Sequence, residues 1–203
     1  MTDLPLAEPS KEPPPRAAAL RVARPNGWWG MAMLVATEGT LFATLIASYF
    51  YLRFKSVAWP PAAGERPGVW VPVVLAAVLV STSLPLQLAA VAVRRERLGA
   101  TRALVALALL VQAGYLAIQA VRFADSLDRF TPQTDAYGSI YYTIFGAHHA
   151  HVFVGILLEL WLLAKLSRGL TNYRLIGAES IVLYWHFVNV LAVAVTATLL
   201  SAA

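Results

Sequence analysis

The stretch FGAHHAHVFVG, residues 145–155, sets three of the chain's four histidines inside an uncharged apolar run long enough to cross a lipid bilayer. Ionisable groups at that depth are costly, so His148, His149 and His151 are functional candidates from the outset. The fourth, His186, lies in a similar run within YWHF (184–187), and Glu38 lies in a third. A chain that buries such groups among apolar neighbours is expected to fold as a membrane bundle rather than as a water-soluble domain.

Composition points the same way. Of the 203 residues, 59% are hydrophobic and 13% charged, with mean hydropathy +0.62, whereas about a quarter of a soluble domain is charged. Cysteine is absent, which removes disulfides and thiolate metal sites and leaves His, Glu, Asp and Met as ligand types. The net charge of +5 would suit a nucleic-acid partner, but its distribution follows membrane topology instead, so no nucleic-acid partner is expected.

Residues 1–26 contain Pro5, Pro9, Pro13, Pro14, Pro15 and Pro25 among mixed charges, without the apolar core of a signal peptide. They are expected to form a disordered cytoplasmic tail ahead of a transmembrane domain over 27–203. Five apolar stretches follow, at about 28–52, 69–93, 103–121, 139–164 and 176–200, each near the ~20 residues that a spanning helix needs. The fold class is therefore all-α, an integral membrane bundle of five transmembrane helices. Pro85, next to Ser81, Thr82 and Ser83, predicts a kink in the second span, with hydroxyls available to the freed carbonyls. A purely structural kink is the simpler reading.

An odd number of spans puts the termini on opposite sides. Eleven of the sixteen Lys and Arg residues fall on the side of the N-terminus, in the tail, at Arg94, Arg95, Arg97 and Arg102, and at Lys165, Arg168 and Arg174. Only Arg53, Lys55, Arg66, Arg122 and Arg129 fall on the other. The positive-inside rule places the N-terminus in the cytoplasm and the C-terminus outside. Trp28, Trp29, Tyr49, Tyr51, Trp70, Tyr141 and Tyr142 cluster near span ends, as an interfacial aromatic belt would.

At ~1.5 Å per residue, Glu38 is ~15 Å into the first span, and His148, His149, His151 and His186 come to a similar depth. Three readings of this layer stand side by side. His148 and His151, three residues apart, share a helix face, and with His186 they could hold a metal or a haem, although none of the established zinc or iron spacings is present. Glu38 and the histidines could relay protons. Or Glu38 could hydrogen-bond an imidazole or a hydroxyl across a helix interface and so hold the bundle together. Glu179 suits a helix N-terminus, and Glu159 is expected to pair with Lys165 or to snorkel to the interface.

Several motifs, taken in order, carry more than any one of them. WGM (29–31), TEGTLF (37–42), YGS (137–139), GAHHAHV (146–152) with Gly155, and GAE (177–179) leading into YWHFVN (184–189) closely resemble subunit III of the haem-copper terminal oxidases, the cytochrome c oxidase subunit III family. The resemblance covers nearly all of residues 24–203 and is to the five-helix bacterial form. It implies an accessory subunit without redox cofactors, in a prokaryotic cytoplasmic membrane, packed on a subunit I that holds haem and copper. Subunit II, smaller subunits, membrane lipids including bound phospholipid, and a respiratory supercomplex are the further partners it implies. The implied role is to support assembly, to sustain proton delivery to subunit I during aerobic respiration, and to protect its active centre. Glu38 matches the family's buried carboxylate, His148 and His151 its helix-four histidines, and Glu179 and His186 its last-helix motif. Three positions depart from the pattern: Asn189 for a usual Asp, Arg122 for a usual Glu, and His149 for a usual Gly.

With no P-loop, no dinucleotide fingerprint and no nucleophile beside a base, the chain carries no catalytic residues of its own on this reading. The alternatives are the accessory subunit of a nitric oxide reductase, which shares the fold, and a small transporter, for which internal repeats would be expected.

Overall fold

The computed structural model describes residues 26–61, 68–168 and 172–201. Apart from Asn26, the expected Pro-rich tail lies outside the described residues. The described residues form six helices: α1 (Asn26–Lys55), α2 (Trp70–Ser81), α3 (Ser83–Arg94), α4 (Leu98–Leu127), α5 (Ala136–Leu166) and α6 (Asn172–Leu200). Because α2 and α3 are two halves of one span, five segments among the described residues are long and apolar enough to cross a membrane. The described residues include no strand.

Each helix forms where an apolar run lets the backbone satisfy its own hydrogen bonds in lipid. Most run past their predicted ends. In α4 the helix continues from Leu98 and as far as Leu127, because Arg102 donates to the Leu166 carbonyl of α5 and exposed Arg122 can reach toward the interface while the backbone stays helical. Asp135, in extended conformation, begins α5 by accepting a hydrogen bond from the Gly138 amide at 2.7 Å, as an N-cap should. The end of α3 is closed by Glu96 at φ 58° and a bond from the Arg97 amide to the Ala92 carbonyl at 3.0 Å. This is the left-handed cap that glycine usually supplies, here adopted by a glutamate in the tight turn into α4.

The bundle is organised around its last helix. α6 packs against α1, α2, α3 and α5, whereas α4 packs against α2, α3 and α5. Accordingly 56% of the apolar window of α6 is buried, against 6% for α1. Small residues on α6, such as Ala178 and Ala192, are buried alongside Trp185 and Val188, which lets several helices approach one.

The kink expected at Pro85 falls at Thr82, between α2 and α3. There the Thr82 amide bonds to Leu79 at 3.1 Å, three residues back rather than four, and the hydroxyls of Ser81 and Thr82 donate to the carbonyls of Val78 and Leu79 at 2.7 and 2.6 Å. The break does more than bend the span. Trp185, fully buried, donates its indole N–H to the Thr82 hydroxyl at 2.7 Å. The ring also lies against Gly155 of α5, where a Cβ would meet it, with Cε3 only 2.6 Å away.

The aromatic belt is only partly a belt. Trp29, Tyr51 and Trp70 are exposed, but Tyr49 and Tyr142 are buried. Tyr49 stacks edge-on with Trp59 at 5.3 Å, and Trp59 with Tyr137 at 5.1 Å. Tyr142 meets Phe123 and Phe130 and donates to the Phe130 carbonyl at 2.9 Å. These rings pack the end of the bundle and its loops, a role that sequence position alone does not separate from interfacial anchoring.

Replacing Gly155 with alanine is expected to push the Trp185 ring off its seat and cost about 1–3 kcal/mol through overpacking. Gly146→Ala, where a Cβ meets nothing within 4 Å, should be close to neutral. Thermal unfolding of the two purified variants in detergent tests the pair; equal midpoints would refute the tight seat.

Candidate functional site

The first polar contact joins α1 to α5. Glu38 Oε2 lies 3.3 Å from His151 Nε2, and the other ring nitrogen of His151 lies 2.7 Å from the Ala147 carbonyl of its own helix. A carbonyl only accepts, so Nδ1 carries a hydrogen. A hydrogen bond across the Glu38–His151 contact needs a proton on the carboxyl or on Nε2, and the two forms have the same net charge. Tyr184 of α6 donates to the His151 carbonyl at 3.0 Å, and Phe42 meets the imidazole edge-on at 5.2 Å. The pair is not sealed. It lines a groove of about 220 Å³ with Leu34, Ala150, Val154 and Tyr184, and the Glu38 side chain is 33% exposed.

The second contact joins α4 to α5. His149 Nδ1 lies 2.7 Å from the Phe145 carbonyl, so Nε2 accepts from the Tyr115 hydroxyl at 3.2 Å, which itself accepts from Gln119 Nε2 at 3.2 Å. Hydrogens thus point in one direction, from Gln119 through Tyr115 and His149 to the backbone. His148, beside it, is 2% exposed, and both its ring nitrogens lack a hydrogen-bond partner among the described residues.

The third contact joins α3 to α6. Asn189 donates to the Ser83 hydroxyl at 2.6 Å, Ser83 faces His186 Nδ1 at 3.3 Å, and His186 Nε2 meets Gln87 Oε1 at 3.1 Å. This gives the unexpected amide at position 189 a physical role, since an ionised carboxylate there could not donate to Ser83. Nearer the α3–α4 turn, Glu179 pairs with Arg94 at 2.9 Å. Glu179 is not at a helix N-terminus as expected, because α6 begins at Asn172, two turns earlier.

The histidines therefore do not share one site. His148 and His151, expected on one face, point into the core and toward α1 respectively, and His186 serves the seam with α3. Among the described residues, no group of three or more His, Asp or Glu side chains is placed to hold a metal ion.

One buried acid was misread from sequence. Glu159 neither pairs with Lys165 nor reaches the interface; it is fully buried and accepts from Gln112 Nε2 at 2.9 Å. Gln112, also fully buried, was not singled out at all. The available signal was a glutamine and a glutamate each within an apolar helical run.

Taken together, the geometry is a set of polar contacts across the helix seams, among which Glu38–His151 pairs a carboxyl directly with an imidazole beside an open groove. That geometry allows a hydrogen bond between the helices and a proton that can sit on either partner at the same net charge.

Comparison with known proteins agrees with this architecture. The family model described as cytochrome c oxidase subunit III matches residues 22–199. The chain is 31% identical to cytochrome c oxidase subunit 3 of Corynebacterium diphtheriae over 87% of its own length and 88% of the relative's. With the same-named subunit of Rhizopus stolonifer it shares 30% identity over 79% of its length, spanning 59% of that longer protein. It is 27% identical to the cytochrome bo(3) ubiquinol oxidase subunit 3 of Pseudomonas aeruginosa, over 84% and 82% of the two chains. With a match that runs through all five spans, the chain belongs to the cytochrome c oxidase subunit III family.

Proposed function

We propose that this multi-pass protein works in the cytoplasmic membrane as the accessory subunit III of a haem-copper terminal oxidase. The observation that carries the reading is the family match across residues 22–199. Its haem and copper reside in a partner subunit I, which carries out the redox chemistry. Subunit II, smaller subunits and lipids complete the assembly, and the N-terminus faces the cytoplasm.

Within that assembly, Glu38 and His151 tie α1 to α5. Because α1 is the least buried of the spans, its position rests on few contacts, and a neutral hydrogen-bonded pair holds it without leaving a charge in lipid. A fixed α1 presents a defined surface to subunit I and keeps a proton-exchanging group at the groove. Both effects support sustained proton delivery and turnover. Glu179 with Arg94 and His186 with Ser83 hold α6 against α3 in the same way, and His148 fills the centre of the bundle.

The direct test is purification of the tagged chain in mild detergent. The expected outcome is co-purification with a large polytopic partner, with haem bands in the visible spectrum and copper by elemental analysis. A non-haem iron centre in place of copper would move the assignment to a nitric oxide reductase, and a colourless chain that purifies alone from cells making the oxidase would refute it.

Glu38→Gln retains a hydrogen-bonding side chain but cannot exchange a proton, so the complex should assemble and lose activity faster during turnover. Glu38→Leu should also loosen α1, at about 1 kcal/mol for a lost interhelical bond. Unchanged assembly and turnover lifetime in Glu38→Gln would sink the role given to this residue. For topology, a periplasm-active phosphatase should be active when fused to the C-terminus and inactive at the N-terminus; the reverse pattern would invert the orientation.

A further inference from the structure

We propose that the cavity among α2, α4, α5 and α6 is a hydrated pocket, which binds a small cluster of water molecules against His148 and opens at Arg122. The cavity measures about 70 Å³, room for about two waters at liquid density. Its deeper wall includes Tyr115, Gln119, His148 and His149, and exposed Arg122 stands at the rim with Ser126. The rim lies toward the C-terminal ends of α4 and α6, where Leu199 and Leu200 complete the wall.

The occupant follows from the lining. A neutral imidazole has one donor and one acceptor, and in His148 both are unmet by protein although the residue is 2% exposed. Water supplies both kinds of partner at once, and buried waters characteristically sit where protein polar groups would otherwise be unpaired. The neighbouring hollow between α2 and α6 makes the contrast. It is lined mainly by valines and alanines, among them Val73, Ala76, Ala77 and Val80, and offers almost nothing for water to bond. An acyl chain suits that hollow; it has no group to meet the imidazoles, the phenol and the amide of the polar pocket. Water in the pocket also brings the Gln119–Tyr115–His149 chain into exchange with one membrane face, since these three side chains line the same space.

The absence of cysteine from the natural sequence makes the pocket testable in the intact complex. Single substitutions Gln119→Cys, inside the pocket, Ser126→Cys, at the rim, and Ala108→Cys, fully buried elsewhere, are exposed to aqueous silver ion on one membrane face at a time. Sites that have reacted are then read by mass spectrometry as protection from a maleimide added after denaturation. Silver ion binds the thiolate, which forms only where water reaches, so Gln119→Cys should react from the same single face as Ser126→Cys and about a hundredfold faster than Ala108→Cys. Should Gln119→Cys fail to assemble, Val195→Cys, on α6 and lining the polar cavity but not the apolar hollow, takes its place with the same expectation. A pocket cysteine as slow as Ala108→Cys, or one that reacts only from the opposite face, would overturn the proposal.

Discussion

The bundle depends on one contact more than on any other: the Trp185 indole, seated on Gly155 and bonded to the Thr82 hydroxyl at 2.7 Å. It joins three spans at once. On α6 it supplies the largest fully buried side chain among the described residues. On α5 it needs a glycine, since any Cβ would occupy the ring's place. On the second span it needs the break between α2 and α3, because the Thr82 hydroxyl bonds the indole there while also donating to Leu79. Proline and hydroxyls in that span thus create a receptor for the tryptophan as well as a bend. Satisfying an indole N–H is worth more inside a bundle than at its surface, since water is not there to replace the partner.

Around this centre the polar residues follow a single rule. In a low-dielectric interior a buried polar group gains most from a partner on a neighbouring helix. The seams answer with pairs and short chains: Glu38 with His151, Gln112 with Glu159, Gln119 with Tyr115 and His149, Asn189 with Ser83 and His186. Each links two different helices, so each also fixes a rotation of one helix against its neighbour. An accessory subunit whose contribution is a stable surface for a catalytic partner would be built in this way. In Glu38–His151 the proton can sit on the carboxyl or on the imidazole at the same net charge, so an interhelical tie and proton exchange are compatible there.

What could be read before the fold was known, and what could not, divides along physical lines. The five spans, the bend near Pro85 and the depth of Glu38 and the histidines follow from hydropathy and helical rise, which depend on the chain alone. The family resemblance rested on short motifs around those same residues. Partnership did not follow. His148 and His151 are three residues apart, close enough on a helix to suggest one site, yet a modest difference in direction sends one into the core and the other to α1. Glu159 looked like an interfacial acid because it lies near a helix end; Gln112, far away in sequence, is what makes its burial tolerable. Tyr49 and Tyr142 looked like belt residues because they lie near span ends, and inward rotation made them core.

The sequence by itself determined that the chain spans a membrane as helices, which family it belongs to, and which apolar run holds each ionisable group. These are properties of local composition and of a backbone that lipid forces to bond with itself. Only the tertiary structure decided which group meets which, that the last helix is the hub, and that an open groove and a polar pocket lie on different seams. Those outcomes depend on helix rotation and close approach, set by contacts such as Gly155 with Trp185 between residues thirty positions apart.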